Sequence, residues 1–200
     1  MYQNFLKRFI DIIICLIGLP FFILVCIVVV PLIWLSDRGP VFYNAPRLGK
    51  NGKVFKMYKF RSMKINAPDI RNTDGSTYNG DDDPRVTKIG RILRKTSLDE
   101  TPQLLNVLKG DMSLIGPRAH LTTSYKGYEF LTEDKKRRIS VRPGITGYNQ
   151  AYYRNSVDAE QKIINDIYYV EHLSFLLDVK IFFKTIDSVL RRENIYVNQK

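Results

Sequence analysis

The sequence contains little cysteine: only Cys15 and Cys26 in a chain of 200 residues. Both lie in the most apolar segment, and on one helix their separation of eleven positions corresponds to about 16 Å, well beyond disulfide reach. The polar part has no cysteine, which excludes a cysteine-based zinc site there and fits a reducing compartment. Internal repeats and low-complexity segments are also absent, so the length predicts one compact domain.

Acidic residues are outnumbered, since 20 Asp and Glu face 31 Lys and Arg, for a formal net charge of +11. A basic excess of this size predicts a polyanionic partner: nucleic acid, anionic lipid or a phosphorylated substrate. Recognition-helix and RNP patterns are missing, which argues against a nucleic-acid binder, even one tethered to a membrane. Composition does not choose between the other two.

Charge is absent from residues 12–35, an apolar run longer than the roughly 20 residues that a membrane-spanning helix needs. No small-residue cleavage site follows the run, which argues against a signal peptide. A buried core helix is the alternative, but the run lacks the one-sided periodicity of a helix packed on a core. We therefore predict a membrane helix.

Basic residues stand on both sides of the apolar run, namely Lys7 and Arg8 before it and Arg38, Arg47, Lys50 and Lys53 after it. Positive flanks favour the cytoplasm. Pro20 lies within the run, where proline removes a backbone donor and kinks a helix. The sequence favours a re-entrant helix over residues 1–38, bent at Pro20, in preference to a straight span. Residues 39–200 would then form a cytoplasmic domain.

The rest of the chain predicts an α+β fold that is mostly helical. Strand-like runs at 41–43 and 54–58 flank the turn signal Gly49-Lys50-Asn51-Gly52, which predicts a small β-hairpin. Helical patterns cover residues 87–94, 96–109, 121–140, 158–170 and 175–192. The last is amphipathic, with Phe175, Val179, Phe182, Ile186 and Leu190 on one stripe; core packing and an interfacial position fit it equally. Asp81-Asp82-Asp83, in a polar loop, is interpreted as a solvated loop tip in preference to a metal site.

The segment Ser97-Leu98-Asp99-Glu100 carries the best candidate for chemistry. Ser97 and Glu100 fit a capping box at a helix start, which accounts for Glu100 but not for Asp99. Thr101-Pro102 offers a second helix start, and either start places Asp99 near a helix N-terminus, where negative charge is favoured. Loop cations that could together bind a pyrophosphate are Lys59, Arg61, Arg118, Arg142 and Arg154.

Six segments carry a combined pattern, in order along nearly the whole chain: 7–11 with the apolar run, 58–63, 96–100, 104–113, 116–118 and 141–147. This pattern resembles the bacterial sugar transferase family, the monotopic phosphoglycosyl transferases that start glycan assembly. The resemblance implies a re-entrant helix bent at a proline, interfacial amphipathic helices and attachment to the bacterial inner membrane. The chain has the size of the family's small form.

The resemblance also implies a reaction. Asp99 would attack the sugar-linked phosphate of a UDP-sugar, release UMP and pass the phosphosugar to undecaprenyl phosphate, with ping-pong kinetics. Mg²⁺ is the implied cofactor, with Asp99 as its contact, and Glu100 is the acid–base or hydrogen-bonding partner. By matching position, the resemblance implies substrate contacts at Lys59, Arg94, Arg118 and Arg154, and a looser role for Asp166. Anionic lipid is an expected partner, and a homo-oligomer is possible.

Three positions depart from the family pattern: Ala119 after Pro117-Arg118, Tyr148-Asn149 after Thr146-Gly147, and Leu19 before Pro20. The first would loosen the loop of Arg118, and the second could affect sugar preference. A non-catalytic module that binds anionic lipid is the rival interpretation, because the charge and the anchor fit it equally well. Such a module does not require an Asp-Glu pair beside arginine-bearing loops.

Overall fold

A computed structural model describes residues 2–71, 78, 80, 82–122, 125–154 and 156–191. Its longest element is helix α1, Lys7–Asp37, which follows a π-helical turn at Tyr2–Leu6. Arg38 ends α1 in the left-handed conformation and donates its N–H to the Trp34 carbonyl. Helical backbone continues through Pro20, so the re-entrant path and the bend remain predictions.

One side of α1 packs on the rest of the chain along its whole length. The buried side chains recur at intervals of three, four and seven residues, as expected for one helix face: Lys7, Asp11, Cys15, Phe22, Val25, Val29 and Ile33. The other side is apolar and exposed, with Ile17 73% and Ile27 65% accessible. The helix is long and apolar enough to cross a membrane.

The predicted β-hairpin is confirmed, with longer strands than the apolar runs indicated. Strand β1, Phe42–Leu48, pairs antiparallel with β2, Val54–Phe60, and the tight turn between them contains Asn51 and Gly52 at positive φ. Strand β4, His120–Leu121, pairs with the other edge of β1, which leaves β2 at the edge of the sheet.

The predicted helix at 96–109 is divided in the structure, and the predicted capping box is wrong. Helix α2, Lys88–Thr96, ends at Ser97, which adopts the left-handed conformation (φ 58°) and makes no side-chain cap. Leu98–Glu100 then form a 3₁₀ turn, and α3, Gln103–Lys109, begins after Pro102. Ser97 therefore terminates one helix instead of starting another, and Asp99 lies in the turn between them.

The described part of the second half of the chain combines a short parallel sheet with four α-helices. Strand β3, Ser113–Ile115, pairs with β5, Gly144–Thr146, and the helices are α4 (Glu133–Arg138), α5 (Tyr148–Tyr152), α6 (Ala159–Glu171) and α7 (Phe175–Leu190). The helix predicted over 121–140 is wrong for its first part. There, Leu121 pairs with β1, a 3₁₀ turn occupies Tyr128–Phe130, and Thr132 caps α4.

Two further predictions on exposure are resolved. The apolar stripe of α7 is turned outward, with Leu190 76% accessible, while Asp178, Ile181 and Ser188 face the core; core packing of that stripe is therefore excluded. Asp83 is fully buried and paired with Arg85 at 2.8 Å. The loop-tip interpretation is wrong for Asp83, because its charge is needed to neutralise a buried guanidinium; Asp81 lies outside the described residues.

Candidate active site

Asp99 and Glu100 meet two of the predicted cations at the junction of β2, the 3₁₀ turn and the loop after β3. Lys59 Nζ lies 2.5 Å from Glu100 Oε1 and 3.9 Å from Asp99 Oδ2. Arg118 Nη2 donates to the same Glu100 oxygen at 3.0 Å. Asp99 is only 8% exposed. The structure thus brings together Lys59, Arg118 and the Asp-Glu pair, four of the residues that the sequence singled out.

The strand period explains why Lys59 points into this site. Side chains alternate between the two faces of a strand, and Phe55 and Met57, which precede Lys59 at steps of two, are both buried. Lys59 continues that inward row at the end of β2. Its aliphatic stem extends the core while its ammonium reaches the two carboxylates.

The loop of Arg118 is positioned by close contact between two glycines. Gly116 directly follows β3, beside its partner strand β5. A Cβ added at Gly144 would lie 2.1 Å from the Gly116 nitrogen. Only glycine allows the two backbones to approach so closely. Arg118 follows Gly116 by two residues, so this contact directs its guanidinium toward Glu100.

The two neighbouring carboxyl groups differ in their electrostatics. Burial alone would raise the pKa of Glu100, but Lys59 and Arg118 outweigh it and lower that pKa to about 2. Burial raises the pKa of Asp99, Lys59 opposes this, and the adjacent Glu100 charge adds to it. Glu100 is therefore an ion-paired anion. No described residue donates a hydrogen bond to Asp99, which leaves its carboxylate available.

Arg94 and Asp166 flank this centre. Arg94 lies in the last turn of α2, donates Nε to Ser62 Oγ at 3.0 Å, and lowers the pKa of Asp99 through its charge. Asp166 is fully buried and accepts from Arg138 Nε at 2.5 Å. It thus acts on the site through Arg138, which donates to the Arg118 carbonyl at 3.2 Å.

Arg138 and Asn149 support the site through Asp166, a role that the sequence did not predict for either residue. Asn149 donates Nδ2 to Asp166 Oδ1 at 2.7 Å and is itself buried. Asn149 therefore braces Asp166, and the expectation that it affects sugar preference stays a prediction. In the basic run 135–138, Arg138 alone is buried, but a run of four cations gives no sign of which one points inward.

Three other residues were predicted as substrate contacts, namely Arg61, Arg142 and Arg154. Arg61 lies just beyond β2 and pairs with both oxygens of Asp37 at 2.6 Å. Arg142 donates Nε to the Gly110 carbonyl at 2.8 Å, at the end of α3 that is remote from Asp99. Arg154 follows α5 with φ 48°, and its role stays a prediction. The structure thus shows other partners for Arg61 and for the Nε of Arg142, and substrate contact by either residue stays a prediction.

The carboxylates of the site decide how it could hold Mg²⁺. Within the described ranges, no group of three or more His, Cys, Asp and Glu side chains could hold a metal ion. Mg²⁺ commonly keeps several waters and is bound by one or two carboxylates together with substrate phosphates. Asp99, with an available carboxylate beside a cation-lined site, fits that arrangement as the protein ligand.

A comparison with protein families supports the resemblance seen in the sequence. The bacterial sugar transferase profile matches residues 2–192. The chain belongs to the bacterial sugar transferase family. This bacterial sugar transferase has Lys59, Asp99, Glu100 and Arg118 in three of the segments on which the resemblance rests, and the structure brings these four side chains together.

Three relatives with different names are similar to this chain. The chain is 41% identical over 189 residues to an Aeromonas hydrophila UDP-N-acetylgalactosamine-undecaprenyl-phosphate N-acetylgalactosaminephosphotransferase, covering 93% of this chain and 44% of that protein. It is 38% identical over 211 residues to a Salmonella typhimurium undecaprenyl-phosphate galactose phosphotransferase (97% and 42%). It is 42% identical over 199 residues to the Rhizobium leguminosarum bv. phaseoli exopolysaccharide production protein PSS (94% and 96%). The chain spans less than half the length of the first two.

Proposed function

We propose that this chain transfers a sugar-1-phosphate from a UDP-sugar to undecaprenyl phosphate and releases UMP, through a covalent intermediate on Asp99. Two of the relatives carry names that specify undecaprenyl phosphate as acceptor, and one specifies a UDP-sugar donor. Those names differ in the sugar, so the donor sugar is left to experiment. The product would be the first lipid-linked unit of a polysaccharide.

The unequal surroundings of Asp99 and Glu100 carry this proposal. Two cations engage Glu100 directly, whereas Asp99 is buried beside Lys59 with no hydrogen bond from the described residues. A nucleophilic carboxylate must be free to form a bond, and a carboxylate held by two cations is a poor candidate. Asp99 therefore suits nucleophilic attack, and Glu100 suits the role of anchoring Lys59 and Arg118.

The reaction follows from these positions in two displacements. In the first, an Asp99 oxygen attacks the sugar-bearing phosphorus, and the bond to the bridging oxygen breaks, so that UMP departs with that oxygen and the electron pair. In the second, an undecaprenyl phosphate oxygen attacks the same phosphorus and the Asp99 carboxylate is restored. Lys59, Arg94 and Arg118 would reduce repulsion between the carboxylate and the diphosphate. Mg²⁺, when bound at Asp99, would supply further charge neutralisation.

We place this chemistry at the cytoplasmic surface of the bacterial inner membrane. The support comes from α1, whose two ends both contact the polar domain: Lys7 pairs with Asp178 at 2.6 Å, and Asp37 pairs with Arg61. A helix that crossed a bilayer would place one of those ends on the far side, away from a cytoplasmic domain. The exposed apolar sides of α1 and α7 would then contact lipid.

Release of UMP tests the proposed reaction. Protein in nanodiscs would receive undecaprenyl phosphate, Mg²⁺ and each member of a panel of UDP-sugars. We expect one or a few donors to yield UMP, and Asp99→Asn to abolish it, while Asp111→Asn, a carboxyl change away from the site, retains it. Donor without acceptor should leave a sugar-phosphate mass on the Asp99 peptide. Turnover by Asp99→Asn would refute the covalent mechanism.

Single-cysteine labelling tests the topology. Cys15 and Cys26 would first be replaced by serine, and one cysteine would then be placed at Gln3 or at Arg38, near the two ends of α1. A re-entrant helix predicts that an impermeant maleimide reaches both positions only in inverted membrane vesicles. A straight span predicts opposite results for the two positions.

A further inference from the structure

The carboxamide of Asn106 fastens the edge of β2 to α3. Asn106 is fully buried. Its Oδ1 accepts the Tyr58 N–H at 2.8 Å, and its Nδ2 donates to the Lys56 carbonyl at 2.8 Å. The backbone groups of an edge strand otherwise lack partners. One side chain thus replaces a neighbouring strand over the residues that immediately precede Lys59.

The main chain of Asn106 is fixed as firmly as its side chain. Its carbonyl accepts from the N–H groups of Gly110, Asp111 and Met112 at 3.1, 3.0 and 3.3 Å. These bonds close the C-terminal end of α3 around the left-handed Gly110. These main-chain bonds hold the carboxamide in its orientation toward β2, and β2 cannot shift along α3 without breaking both of its hydrogen bonds to Asn106.

We infer that Asn106 is a positioning residue for the proposed transfer, one that fixes the register of β2 against α3 and thereby holds Lys59 against Glu100 and Asp99. Lys59 follows Tyr58 directly, and the Asp-Glu pair precedes α3 through one turn. The two parts of the active site thus lie on two elements that Asn106 joins. The exposed contact between Lys109 Nζ and the Tyr58 hydroxyl, at 3.2 Å, gives much less constraint. The expected effect on kcat rests on the proposed function, whereas the effect on the position of Lys59 does not.

Asn106→Leu tests the inference, with Val107→Ala as the matched control. Both residues are fully buried neighbours on α3, so both changes destabilise the fold, but only the first removes the link to β2. In Asn106→Leu we expect kcat to fall on the order of a hundredfold, with little change in the KM for donor, because misplacement of a catalytic group acts on the chemical step. Asn106→Ser serves if Asn106→Leu does not fold.

A second readout does not depend on activity. The second readout is the reactivity of two lysines toward an acylating reagent, measured by mass spectrometry of the peptide that contains both. Lys56 has an exposed amine, whereas the amine of Lys59 is ion-paired to Glu100. We expect the Asn106 variants to raise Lys59 reactivity relative to Lys56, and Val107→Ala to leave that ratio at the wild-type value. If the Asn106 and Val107 variants match in both ratio and kcat, the inference is wrong. If wild type releases no UMP, the proposed function fails while the acylation ratio still decides the role of Asn106.

Discussion

Arg138 and Asp166 form a buried ion pair, with Arg138 Nε 2.5 Å from Asp166 Oδ2, that stands directly behind the loop of Arg118. The pair connects α4 to α6 across 28 positions of sequence. Arg138 also donates to the Arg118 carbonyl. The position of Arg118, whose guanidinium reaches Glu100, therefore depends on the Arg138–Asp166 pair.

Removal of one member of this pair should be strongly destabilising. Arg138→Met leaves the Asp166 charge buried, with Asn149 as its remaining hydrogen-bond donor among the described residues, and loss of one partner of a buried pair costs about 3–5 kcal/mol. The double variant Arg138→Met/Asp166→Asn should recover part of that loss, because no charge is then stranded. Thermal unfolding in nanodiscs measures both; equal melting temperatures for the single and double variants would contradict the pairing.

Lys59 should matter to catalysis far more than the lysine three positions before it. Lys59→Met removes the ammonium that lies between Asp99 and Glu100, and loss of one such electrostatic contact typically lowers kcat by about 10²–10³-fold. Lys56→Met, on the exposed side of the same strand, should leave kcat within about twofold, since a screened surface charge has little influence. Steady-state UMP release with the best donor provides the comparison.

Asp99→Asn should raise the melting temperature while it abolishes turnover. The folded-state pKa of Asp99 is raised by burial, so Asp99 binds its proton more tightly in the folded protein than in the unfolded chain. The stability associated with that proton is complete below the unfolded pKa and is lost as pH rises through the folded pKa. The neutral amide avoids this loss, so the advantage of Asp99→Asn over wild type should grow with pH. Unfolding curves at a series of pH values check the sign.

Arg61 should affect stability and not substrate affinity, contrary to the role expected from the sequence. Arg61→Gln removes two bonds to Asp37, and hydrogen bonds to charged groups contribute about 2 kcal/mol. The KM for the UDP-sugar should stay at the wild-type value, whereas Arg118→Gln should raise it. If Arg61→Gln raised KM without lowering the melting temperature, the structural assignment of Arg61 would be wrong.

Local patterns predicted much of the fold. Strand-like runs and the Gly49–Gly52 turn signal predicted the hairpin, with Lys59 just after the second run, and an apolar run predicted α1. The helix boundary at Ser97 was not predictable, because the same Ser-x-x-Glu spacing fits a helix start and a helix end. The Arg61 pairing with Asp37 was not predictable, because β2 ends at Phe60 and the alternation that directs Lys59 inward no longer applies after it.

Partners distant in sequence account for the rest of what was missed. Lys7 pairs with Asp178 across 171 positions, and Asn106 reaches Tyr58 across 48. Each of these residues is an ordinary polar side chain in its local context. Only packing reveals that Asn106 completes a sheet edge, or that Arg138 is the one buried member of its basic run.

The outward apolar side of α1 has a consequence for how rates depend on concentration. Under the proposed attachment, enzyme and acceptor share one lipid surface, so they meet by lateral diffusion in two dimensions. The variable that governs the second half-reaction is then the mole fraction of undecaprenyl phosphate among lipids and not its molarity. Diluting the acceptor with inert phospholipid should slow turnover even when the bulk amounts of enzyme and acceptor stay constant.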